Sequence, residues 1–410
     1  MKKITIAHPN GIIKGVCSIT GSKSETNRLL ILQAQYTSIE LANISNSEDS
    51  QMMQQALANS TGEVDIHHAG TAMRFLTAYL SVDPNFDGIL TGSARMKERP
   101  IGLLVEALKT LGANIQYTEK EGYPPLQIKG GAFVDNQVSL PANISSQYIS
   151  ALLLIGAKQP QGLHIHLEGE ITSLPYIQMT LSLLERVGIK ADMNGNHIHV
   201  KPTADLAPSK QVIESDWSSA SYFYAMVALA KEASVRISSY RSDSLQGDSC
   251  LQKIYAQLGV QSSIDGNDLC LSKIPEFQLP EHLTLDLVAS PDIAQTIAVS
   301  CFGLGISCDL TGLHTLKIKE TDRLVALKNE LEKLGAQVNI TDKSLHLQKR
   351  TKAWGPEINI ATYNDHRMAM AFAPLALLAP LGIEDPTVVQ KSYPDFWTDL
   401  RSLAFELPSV

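Results

Sequence analysis

One pattern recurs along this sequence and limits the folds open to it: an amphipathic helix, then a glycine, then a strand. Four clear copies are spaced 76, 71 and 76 residues apart and end at Gly112, Gly188, Gly259 and Gly335. Glycine tolerates the left-handed conformation with which many helices end. Weaker copies at 47–58 and 394–404 bring the total to six. A regular period of this kind indicates repeated supersecondary units.

Each copy also contains a second, more apolar helix with a small or polar start. The six starts are Gly21-Ser-Lys-Ser, Ala69-Gly-Thr-Ala, Asn143-Ile-Ser-Ser-Gln, Asp216-Trp-Ser-Ser-Ala, Ser290-Pro-Asp-Ile and Asn364-Asp-His-Arg. Helix N-termini attract anions through their free N–H groups, so six starts facing one cleft would form an anion-binding cavity. Alternatively, capped buried helices are simply how such repeats fold. Short apolar segments at 127–129, 163–167, 197–200 and 283–287 predict strands, so the class is α/β with mixed sheets.

Length, charge and cysteine content narrow the class further. A chain of 410 residues is too long to fold around a single hydrophobic core, so two domains are expected. The net charge of −8 argues against a nucleic-acid partner, although a local cationic cleft can still bind a small anion. Five scattered cysteines indicate buried thiols of a reducing compartment. No signal peptide or membrane helix is visible, so we expect a cytoplasmic protein without a membrane partner.

Basic residues gather near the starts of several of these helices. At the first helix start, Ser22 separates Gly21 from Lys23. A P-loop needs glycine and lysine in direct sequence, so this segment is not the P-loop of a nucleotide-binding protein. Lys23, with Ser24 and Arg28 one turn on, is a candidate anion clamp; alternatively, these residues belong to a capped helix with solvated charges.

In a second basic segment every second residue is a cation: Arg95, Lys97 and Arg99. These three side chains would share one face of an extended chain. They would repel one another there unless an anion is bound, and arginine binds phosphate and carboxylate in bidentate geometry. The alternative is a solvated edge, which is common for runs of charge.

The segment 317–323 predicts another helix start, with Lys319 and Arg323 four residues apart. A like-charged pair at this spacing is unfavourable, and cations near a helix start oppose the helix dipole. Such local conflicts concentrate at functional sites. Compensation of Lys319 by Asp322 is the plainer alternative.

Two more helix starts carry candidate residues. His366 taken alone is more simply a structural histidine, whereas Arg367 at the start of a buried helix indicates a bound anion. Asp292, after Pro291, is either a helix N-cap or a general base. Many cations, a few carboxylates and no metal-binding motif indicate chemistry on a multiply anionic substrate, stabilised electrostatically.

Five segments together resemble the enolpyruvyl transferase family, and within it the 5-enolpyruvylshikimate-3-phosphate (EPSP) synthases. They are GSKSETNR (21–28), AGTAMR (69–74), TGSARMKERP (91–100), KIKETDR (317–323) and ATYNDHRMAM (361–370). Weaker matches at 145–147, 173–176 and 391–394 extend the resemblance over nearly the whole chain. Their common order along a six-fold repeat makes the resemblance specific.

The resemblance implies two similar domains, each of three repeated βαβαββ units in an inside-out α/β barrel. The domains would span 21–214 and 1–20 plus 215–410, with the active site in the cleft between them. The implied reaction transfers the enolpyruvyl group of phosphoenolpyruvate to the 5-hydroxyl of shikimate 3-phosphate, through a tetrahedral intermediate, in aromatic amino acid biosynthesis. The resemblance also implies a monomer without metal or organic cofactor, inhibited by glyphosate at the phosphoenolpyruvate site.

The matching positions carry implied roles. Shikimate 3-phosphate would contact Lys23, Ser24, Arg28, Ser145, Ser146, Gln147, Ser173, Tyr176, Asp292, Thr315 and Lys319. Phosphoenolpyruvate would contact Lys23, Gly70, Arg95, Gln147, Arg323, Arg367 and Lys391. The catalytic residues would be Asp292, Glu320 and Lys23. Asp292 would face the 5-hydroxyl and Glu320 would lie near C3 of the enol, although these two roles are open to exchange.

The sequence departs from the family pattern at a few positions. Phe75 stands where proline is usual, Thr315 where asparagine is common, and Leu174 where lysine is frequent. His68 replaces an asparagine, and Glu25-Thr26 is an unusual pair. Thr315 puts one substrate contact in question, and Phe75 bears on inhibitor sensitivity because it shares a helix with Gly70.

Three other interpretations remain open. The sister transferases that act on UDP-N-acetylglucosamine typically carry a cysteine in the loop matching 92–100, and this loop has none. A non-catalytic anion-binding protein of the same fold predicts lost carboxylates, yet Asp292 and Glu320 are present. An RNA-end-processing enzyme of related architecture predicts a basic surface, against which the acidic balance argues.

Overall fold

The computed structural model describes residues 3–171, 174–350, 354–355 and 358–408. The chain divides into two compact units, which we call the inserted unit (21–213) and the discontinuous unit (1–20 with 214–410). Both crossings of the chain between units lie within one residue of the expected positions. None of the helices in the described ranges has the length and apolar character needed to cross a lipid bilayer.

Strands β1 (Lys3–Ile6) and β2 (Ile12–Cys17) open the chain. The helices of the inserted unit are α1 (Lys23–Gln35), α2 (Glu48–Ala58), α3 (Gly70–Val82), α4 (Ala94–Lys97), α5 (Gly102–Thr110), α6 (Ser146–Gly156) and α7 (Leu174–Arg186). Its strands are β3 (Ile39–Ala42), β4 (Gly62–Asp65), β5 (Asp87–Thr91), β6 (Asn114–Tyr117), β7 (Leu126–Lys129), β8 (Gln137–Pro141), β9 (Leu163–Glu168), β10 (Ala191–Asn194), β11 (His197–Val200) and β12 (Ser209–Val212).

The helices of the second part of the discontinuous unit are α8 (Trp217–Leu229), α9 (Leu251–Ala256), α10 (Ala294–Leu304), α11 (Arg323–Lys333), α12 (His366–Phe372) and α13 (Phe396–Ser402). Its strands are β13 (Glu232–Ile237), β14 (Val260–Asp265), β15 (Asp268–Lys273), β16 (His282–Asp286), β17 (Ser307–Thr311), β18 (Val338–Ile340), β19 (Leu345–Leu347), β20 (Asn359–Ile360) and β21 (Leu381–Glu384). Short 3-10 helices cover Gly247–Cys250, Pro291–Ile293, His314–Ile318, Ala373–Leu377 and Pro386–Lys391.

Four four-stranded sheets share one topology. A parallel pair of strands is extended by an antiparallel hairpin, in the orders β4-β5-β7-β6, β8-β9-β11-β10, β2-β13-β15-β14 and β16-β17-β19-β18. In each, one helix precedes the second parallel strand and another leads into the hairpin, which is the predicted βαβαββ unit. The remaining two units are shortened: β12 pairs only with β3, and β21 pairs with β20 and β1. Each compact unit therefore holds three repeats.

The four repeat glycines follow α5, α7, α9 and α11. All four have positive φ, at 104°, 98°, 80° and 86° for Gly112, Gly188, Gly259 and Gly335. A side chain is disfavoured in this conformation, so glycine ends each helix and turns the chain toward the next strand. The predicted helix ends are confirmed.

The more apolar helices form the interior of each unit. In the inserted unit α1, α3 and α6 pack on one another, and in the discontinuous unit α8, α10 and α12 do so. Every residue of α8 is buried. Three of the predicted polar helix starts contain a side-chain N-cap. Ser145 accepts a hydrogen bond from the N–H of Gln147, Asp216 from that of Ser219, and Asp365 from that of Arg367.

Candidate active site

Arg323 is the centre of a buried group of charges in the discontinuous unit. Its side chain is 2% exposed. Its Nε donates to Oδ2 of Asp365 at 2.6 Å, and its Nη1 donates to Oδ1 of Asp292 at 2.9 Å. Its Nη2 donates to Oε2 of Glu320 at 2.8 Å. One permanently charged guanidinium thus holds both predicted proton-transfer carboxylates.

Three further cations surround these carboxylates. The Nζ of Lys319 lies 3.4 Å from Oδ1 of Asp292, and the Nη2 of Arg367 lies 3.2 Å from Oδ2 of the same residue. The Nζ of Lys391 lies 2.9 Å from Oε1 of Glu320. We call the whole group the ion cluster: Lys319, Arg323, Arg367, Lys391, Asp292, Glu320 and Asp365. Its four cations outnumber its three carboxylates.

Both candidate catalytic carboxylates are ionised in this environment. Burial by itself would raise the pKa of Asp292, but Arg367, Lys319 and Arg323 hold that pKa well below its usual range. Burial also opposes ionisation of Glu320, yet Arg323 and Lys391 hold its pKa well below the usual value. At neutral pH each of the two carboxylates can therefore accept a proton.

The local sequence explains how Lys319 and Arg323 reach the cluster from different elements. Asp322 accepts hydrogen bonds from the N–H groups of Leu324 and Val325, so α11 begins at Arg323. Lys319 lies before the helix, after the 3-10 helix His314–Ile318. The predicted helical pairing of Lys319 with Arg323 is wrong, because Asp322 caps the helix too late to include Lys319.

Asp292 lies within the 3-10 helix Pro291–Ile293, whose N-cap is Ser290. Its carboxylate meets cationic side chains, so the N-cap alternative is wrong. Asp365 was not singled out from the sequence. It caps α12 through the N–H of Arg367 at 2.8 Å and is the partner of Arg323 across the fold. The Asn-Asp pair at a helix start was its sequence signal.

Asp248 is a second residue that the sequence analysis did not find. Ser218 donates to its carboxylate, and Nη2 of Arg367 donates to Ser218 Oγ at 3.3 Å. Burial raises the pKa of Asp248 to about 6, and the carboxylate of Asp292 adds to the shift while Arg367 opposes it. No motif marks Asp248, because its role depends on a contact between segments 30 residues apart.

The raised pKa predicts a pH-dependent stability. A raised pKa means that the folded state binds the carboxyl proton of Asp248 more tightly than the unfolded chain does. Ionisation of Asp248 therefore lowers the stability of the folded state. Asp248→Asn is therefore expected to raise Tm by about 2–4 °C at pH 8. The gain should shrink as pH falls through the pKa of about 6. Differential scanning calorimetry across this range tests it, with exposed Asp243→Asn as the control, and an equal gain at every pH would contradict it.

Thr315, in the 3-10 helix His314–Ile318, has a buried hydroxyl oxygen without a hydrogen-bond partner among the described residues. This 3-10 helix packs on the one that carries Asp292. Thr315, which the family resemblance implies as a substrate contact, thus has a hydroxyl group to which the described part of the chain offers no hydrogen bond.

In the inserted unit, Lys23 is the first residue of α1, and its Nζ lies 3.2 Å from Oδ2 of Asp49 on α2. The two side chains are 25% and 5% exposed. A nearly buried carboxylate therefore compensates the candidate anion clamp. Ser24 follows in the same turn, and its carbonyl accepts from Nη1 of Arg28 at 2.8 Å.

Arg28 is buried inside the helix packing. Its Nε donates to Thr180 Oγ1 at 2.8 Å on α7, and its Nη2 donates to Ser150 Oγ at 3.1 Å on α6. Burial lowers its pKa to about 10. The guanidinium lies over the ring of Phe75, 5.4 Å from its centroid. The alternative of solvated charges is wrong for Arg28, which joins α1, α3, α6 and α7.

A second group of arginines adjoins Gly70 at the start of α3. A Cβ on Gly70 would lie 2.4 Å from Nη1 of Arg99, so the guanidinium packs directly on the glycine. Arg74, one turn on, donates to the carbonyl of Gly70 at 3.2 Å. No ion pair of Arg74 or Arg99 occurs among residues that the structure describes. Positive charge is therefore in excess here.

The segment 94–97 is helical, so the expected shared face of Arg95, Lys97 and Arg99 is wrong. The N-cap Ser93 accepts from the N–H of Met96, which closes this turn. Arg95 pairs with Glu98 at 2.6 Å and Lys97 pairs with Glu119 at 2.5 Å. The guanidinium of Arg99 supplies the three atoms nearest to a Cβ built on Gly70.

The polar start of α6 faces the start of α3. Nε2 of Gln147 donates to Thr71 Oγ1 at 3.2 Å, next to Gly70. Ser145 caps α6 and Ser146 is its first residue. Tyr176 lies in the first turn of α7, and its carbonyl accepts from Thr180. Ser173 lies outside the described residues.

Comparisons with known proteins agree with this architecture. The family model described as EPSP synthase (3-phosphoshikimate 1-carboxyvinyltransferase) matches residues 49–400. The chain belongs to the EPSP synthase family. A protein of Bacteroides fragilis named 3-phosphoshikimate 1-carboxyvinyltransferase is 42% identical over 402 residues, covering 96% of each chain. A protein of the same name from Photorhabdus laumondii is 36% identical over 97% of each chain.

Solved structures share the fold. EPSP synthase from Acinetobacter baumannii superposes on this chain with a TM-score of 0.80 at 22% identity, over the full length of both chains. The enolpyruvyl transferase NikO from Streptomyces tendae gives a TM-score of 0.75 at 15% identity, over 99% of this chain and 98% of its own. The expected fold, two α/β domains of three repeated units each, is confirmed for this EPSP synthase family member.

Proposed function

We propose that this protein transfers the enolpyruvyl group of phosphoenolpyruvate to the 5-hydroxyl of shikimate 3-phosphate, releasing phosphate. The observation that carries the proposal is the ion cluster: two carboxylates suited to proton transfer, Asp292 and Glu320, lie among four cations. Both substrates are multiply anionic, and their charges match an excess of cations. The name of the 42%-identical relative, 3-phosphoshikimate 1-carboxyvinyltransferase, supports the proposal that this protein uses the same substrates.

The proposed substrate-binding residues are divided between the discontinuous unit and the inserted unit. In the discontinuous unit, Arg323, Arg367 and Lys391 are proposed to bind phosphoenolpyruvate, and Asp292, Thr315 and Lys319 to contact shikimate 3-phosphate. In the inserted unit, the proposed contacts of shikimate 3-phosphate are Lys23, Ser24, Arg28, Ser145, Ser146, Gln147, Ser173 and Tyr176. Gly70, Arg95, Gln147 and Lys23 are proposed to contact phosphoenolpyruvate. We propose that the enzyme is monomeric and cytoplasmic.

Arg28 differs from the other proposed contacts because its guanidinium N–H groups donate within the helix packing. Its proposed contribution is to hold α1, α6 and α7 together, so that Lys23, Ser146 and Tyr176 lie on a rigid support. Positioning of this kind is worth several kcal/mol when two reactants must be aligned.

The chemistry follows from the charges. In the addition step the 5-hydroxyl oxygen attacks C2 of the enol, its proton passes to Asp292, and C3 takes a proton from the acid form of Glu320. In the elimination step C3 returns a proton to Glu320, and the phosphate leaves C2 with the C–O bonding electrons and takes the proton held by Asp292. One acid–base pair thus serves both halves. Cations, including Lys23, stabilise the charge that moves onto the departing phosphate.

Glu320 must carry a proton before it can protonate C3, yet its pKa in the substrate-free cluster is well below its usual value. Arg323 and Lys391 hold it there. An incoming carboxylate or phosphate that binds these cations would compete with Glu320 for their charge and raise its pKa. We therefore propose that phosphoenolpyruvate itself prepares Glu320 as the acid.

The deciding measurement is phosphate release from phosphoenolpyruvate in the presence of a chelator, with two acceptors compared. Release with shikimate 3-phosphate alone would establish the reaction, the acceptor and independence from free metal ions. Release with UDP-N-acetylglucosamine alone would overturn the acceptor and keep the enolpyruvyl chemistry. Binding of phosphoenolpyruvate without release with either acceptor would favour the non-catalytic anion-binding protein.

Gly70→Ala tests the proposed phosphoenolpyruvate site in the inserted unit. The new methyl group must displace the guanidinium of Arg99, which packs on Gly70. Glyphosate is longer than phosphoenolpyruvate and leaves less room for this shift. We expect the inhibition constant of glyphosate to rise about tenfold, a change of about 1.4 kcal/mol, with a smaller rise in the KM of phosphoenolpyruvate.

Steady-state inhibition assays give both constants. Gly131→Ala is the matched control, because a Cβ there would meet no atom within 4 Å and its φ is not positive. An unchanged inhibition constant in Gly70→Ala would remove Gly70 from the proposed site.

A further inference from the structure

A strained turn connects strand β20 to helix α12 in the discontinuous unit. Tyr363 and Asn364 have φ of 54° and 55°, in the left-handed region. The N–H of Asp365 donates to the carbonyl of Thr362 at 2.8 Å, which closes a four-residue turn with these two residues at its centre. Asparagine tolerates this conformation, but a bulky residue such as tyrosine is rare there. Backbone strain of this kind persists only where surrounding contacts hold it.

Glu330 on α11 supplies such contacts. Its side chain is fully buried. Its Oε1 accepts from the hydroxyl of Tyr363 at 2.7 Å, and its Oε2 accepts from the N–H of Ala361 at 3.0 Å. The Nζ of Lys333 also donates to Oε2, at 2.7 Å. The carboxylate therefore holds the turn at two positions, one on each side of Thr362.

The same helix holds the end of the turn through the ion cluster. Arg323 is the first residue of α11, and its Nε donates to Oδ2 of Asp365 at 2.6 Å. Glu330 lies two helical turns further on, at a spacing that places both side chains on one face of α11, and both are buried. The segment 361–365 is thus fixed to α11 at two levels, near its start by Glu330 and at its end by Arg323.

The position of Arg367 depends on where this segment ends. Asp365 caps α12 by accepting from the N–H of Arg367 at 2.8 Å, so a shift of Asp365 would move Arg367 with it. The Nη2 of Arg367 lies 3.2 Å from Oδ2 of Asp292. Small displacements of a group that binds or orients substrate are costly even when their cause is remote.

We propose that Glu330 is a positioning residue for the ion cluster: it holds the left-handed turn on α11 and so sets the place of Arg367 relative to Arg323. The inference rests on the proposed function, in which both arginines bind phosphoenolpyruvate. None of the three residues that donate to Glu330 is a proposed substrate contact. Its effect on the reaction is therefore transmitted through the turn.

Glu330→Gln tests the proposal by steady-state kinetics and hydrogen exchange. An amide has one acceptor oxygen where the carboxylate has two, so one contact of the turn loses its acceptor and meets an N–H donor instead. We expect the KM of phosphoenolpyruvate to rise about tenfold, since Arg367 is displaced. Exchange of the backbone amides of 361–370 should also rise at least about tenfold. Glu332→Gln, the same substitution at an exposed position of α11, should leave both unchanged.

Two variants of Tyr363 separate the turn from general stability. Tyr363→Ala and Tyr363→Gly both remove the ring and its hydroxyl, but only glycine adopts a positive φ without strain. The KM of phosphoenolpyruvate is therefore expected to rise at least about threefold more in Tyr363→Ala than in Tyr363→Gly. Loss of folded protein would lower the apparent kcat and leave KM unchanged, so KM reports on position rather than on stability.

An unchanged KM and unchanged exchange in folded Glu330→Gln would overturn the proposal, as would equal KM values in the two Tyr363 variants. Circular dichroism melting identifies any variant that has lost its fold. Absence of phosphate release by the unaltered protein would instead contradict the proposed function. In that case the exchange rates of 361–370 in Glu330→Gln and the unaltered protein still decide whether Glu330 holds the turn.

Discussion

Glu320→Gln is expected to lower kcat by about 10²- to 10⁴-fold, the usual contribution of a positioned general acid or base. Glutamine keeps the size of the side chain and its acceptor oxygen toward Arg323, but it cannot take up and return the proton at C3. Arg323 and Lys391 would keep their charge with less compensation. The KM of phosphoenolpyruvate is therefore expected to stay constant or fall while kcat drops.

Steady-state kinetics with both substrates measure these two constants separately. Glu332→Gln is the matched control, since Glu332 lies on α11, is 42% exposed and pairs only at 3.8 Å with Lys328. A rise in KM with an unchanged kcat would assign Glu320 to binding alone and move proton transfer to another residue.

Asp365→Asn is expected to destabilise the discontinuous unit by about 3 kcal/mol. Asp365 is fully buried, and its Oδ2 accepts from Nε of Arg323 at 2.6 Å. The arginine cannot lose its proton to escape burial. Two carboxylates, Asp292 and Glu320, would still contact it, so the loss is smaller than for an arginine left without any anion.

Urea unfolding followed by tryptophan fluorescence reports on this unit, because all three tryptophans lie in 214–410. Asp342→Asn removes an ion pair of the same chemical type at an exposed position, where Asp342 is 92% exposed, and should leave the unfolding midpoint unchanged. Equal midpoints for Asp365→Asn and the unaltered protein would mean that Asp292 and Glu320 suffice to compensate Arg323.

The repeats were predictable from the sequence because their signals are local. A helical period of apolar residues and a glycine after the last turn are physical requirements of each unit, and they recur wherever the unit does. The positive φ of Gly112 and its three equivalents shows that the requirement is met. The two units that the structure shows to be shortened are those with the weaker copies of the pattern, at 47–58 and 394–404.

The parts of the site that sequence reasoning missed depend on tertiary contacts. Asp248 and Ser218 meet across 30 residues, and Asp365 meets Arg323 across 42. The faces of 91–100 and 317–323 were misjudged because Ser93 and Asp322 act as N-caps. Ser93 begins a helix in a segment expected to be extended, and Asp322 begins α11 after Lys319. An N-cap changes which charged side chains share a face, and charge spacing alone does not reveal it.

The interrupted order of the chain has a consequence for its synthesis. The described strands of the inserted unit all pair within 21–213, so this unit has every one of these partners once residue 213 has left the ribosome. Strand β1, made first, pairs with β21 at Leu381–Glu384. Strand β1 therefore waits until β21 has been synthesised before its sheet can form. Until then Ile4 and Ile6, which that sheet buries, remain exposed to the cell's chaperones and proteases.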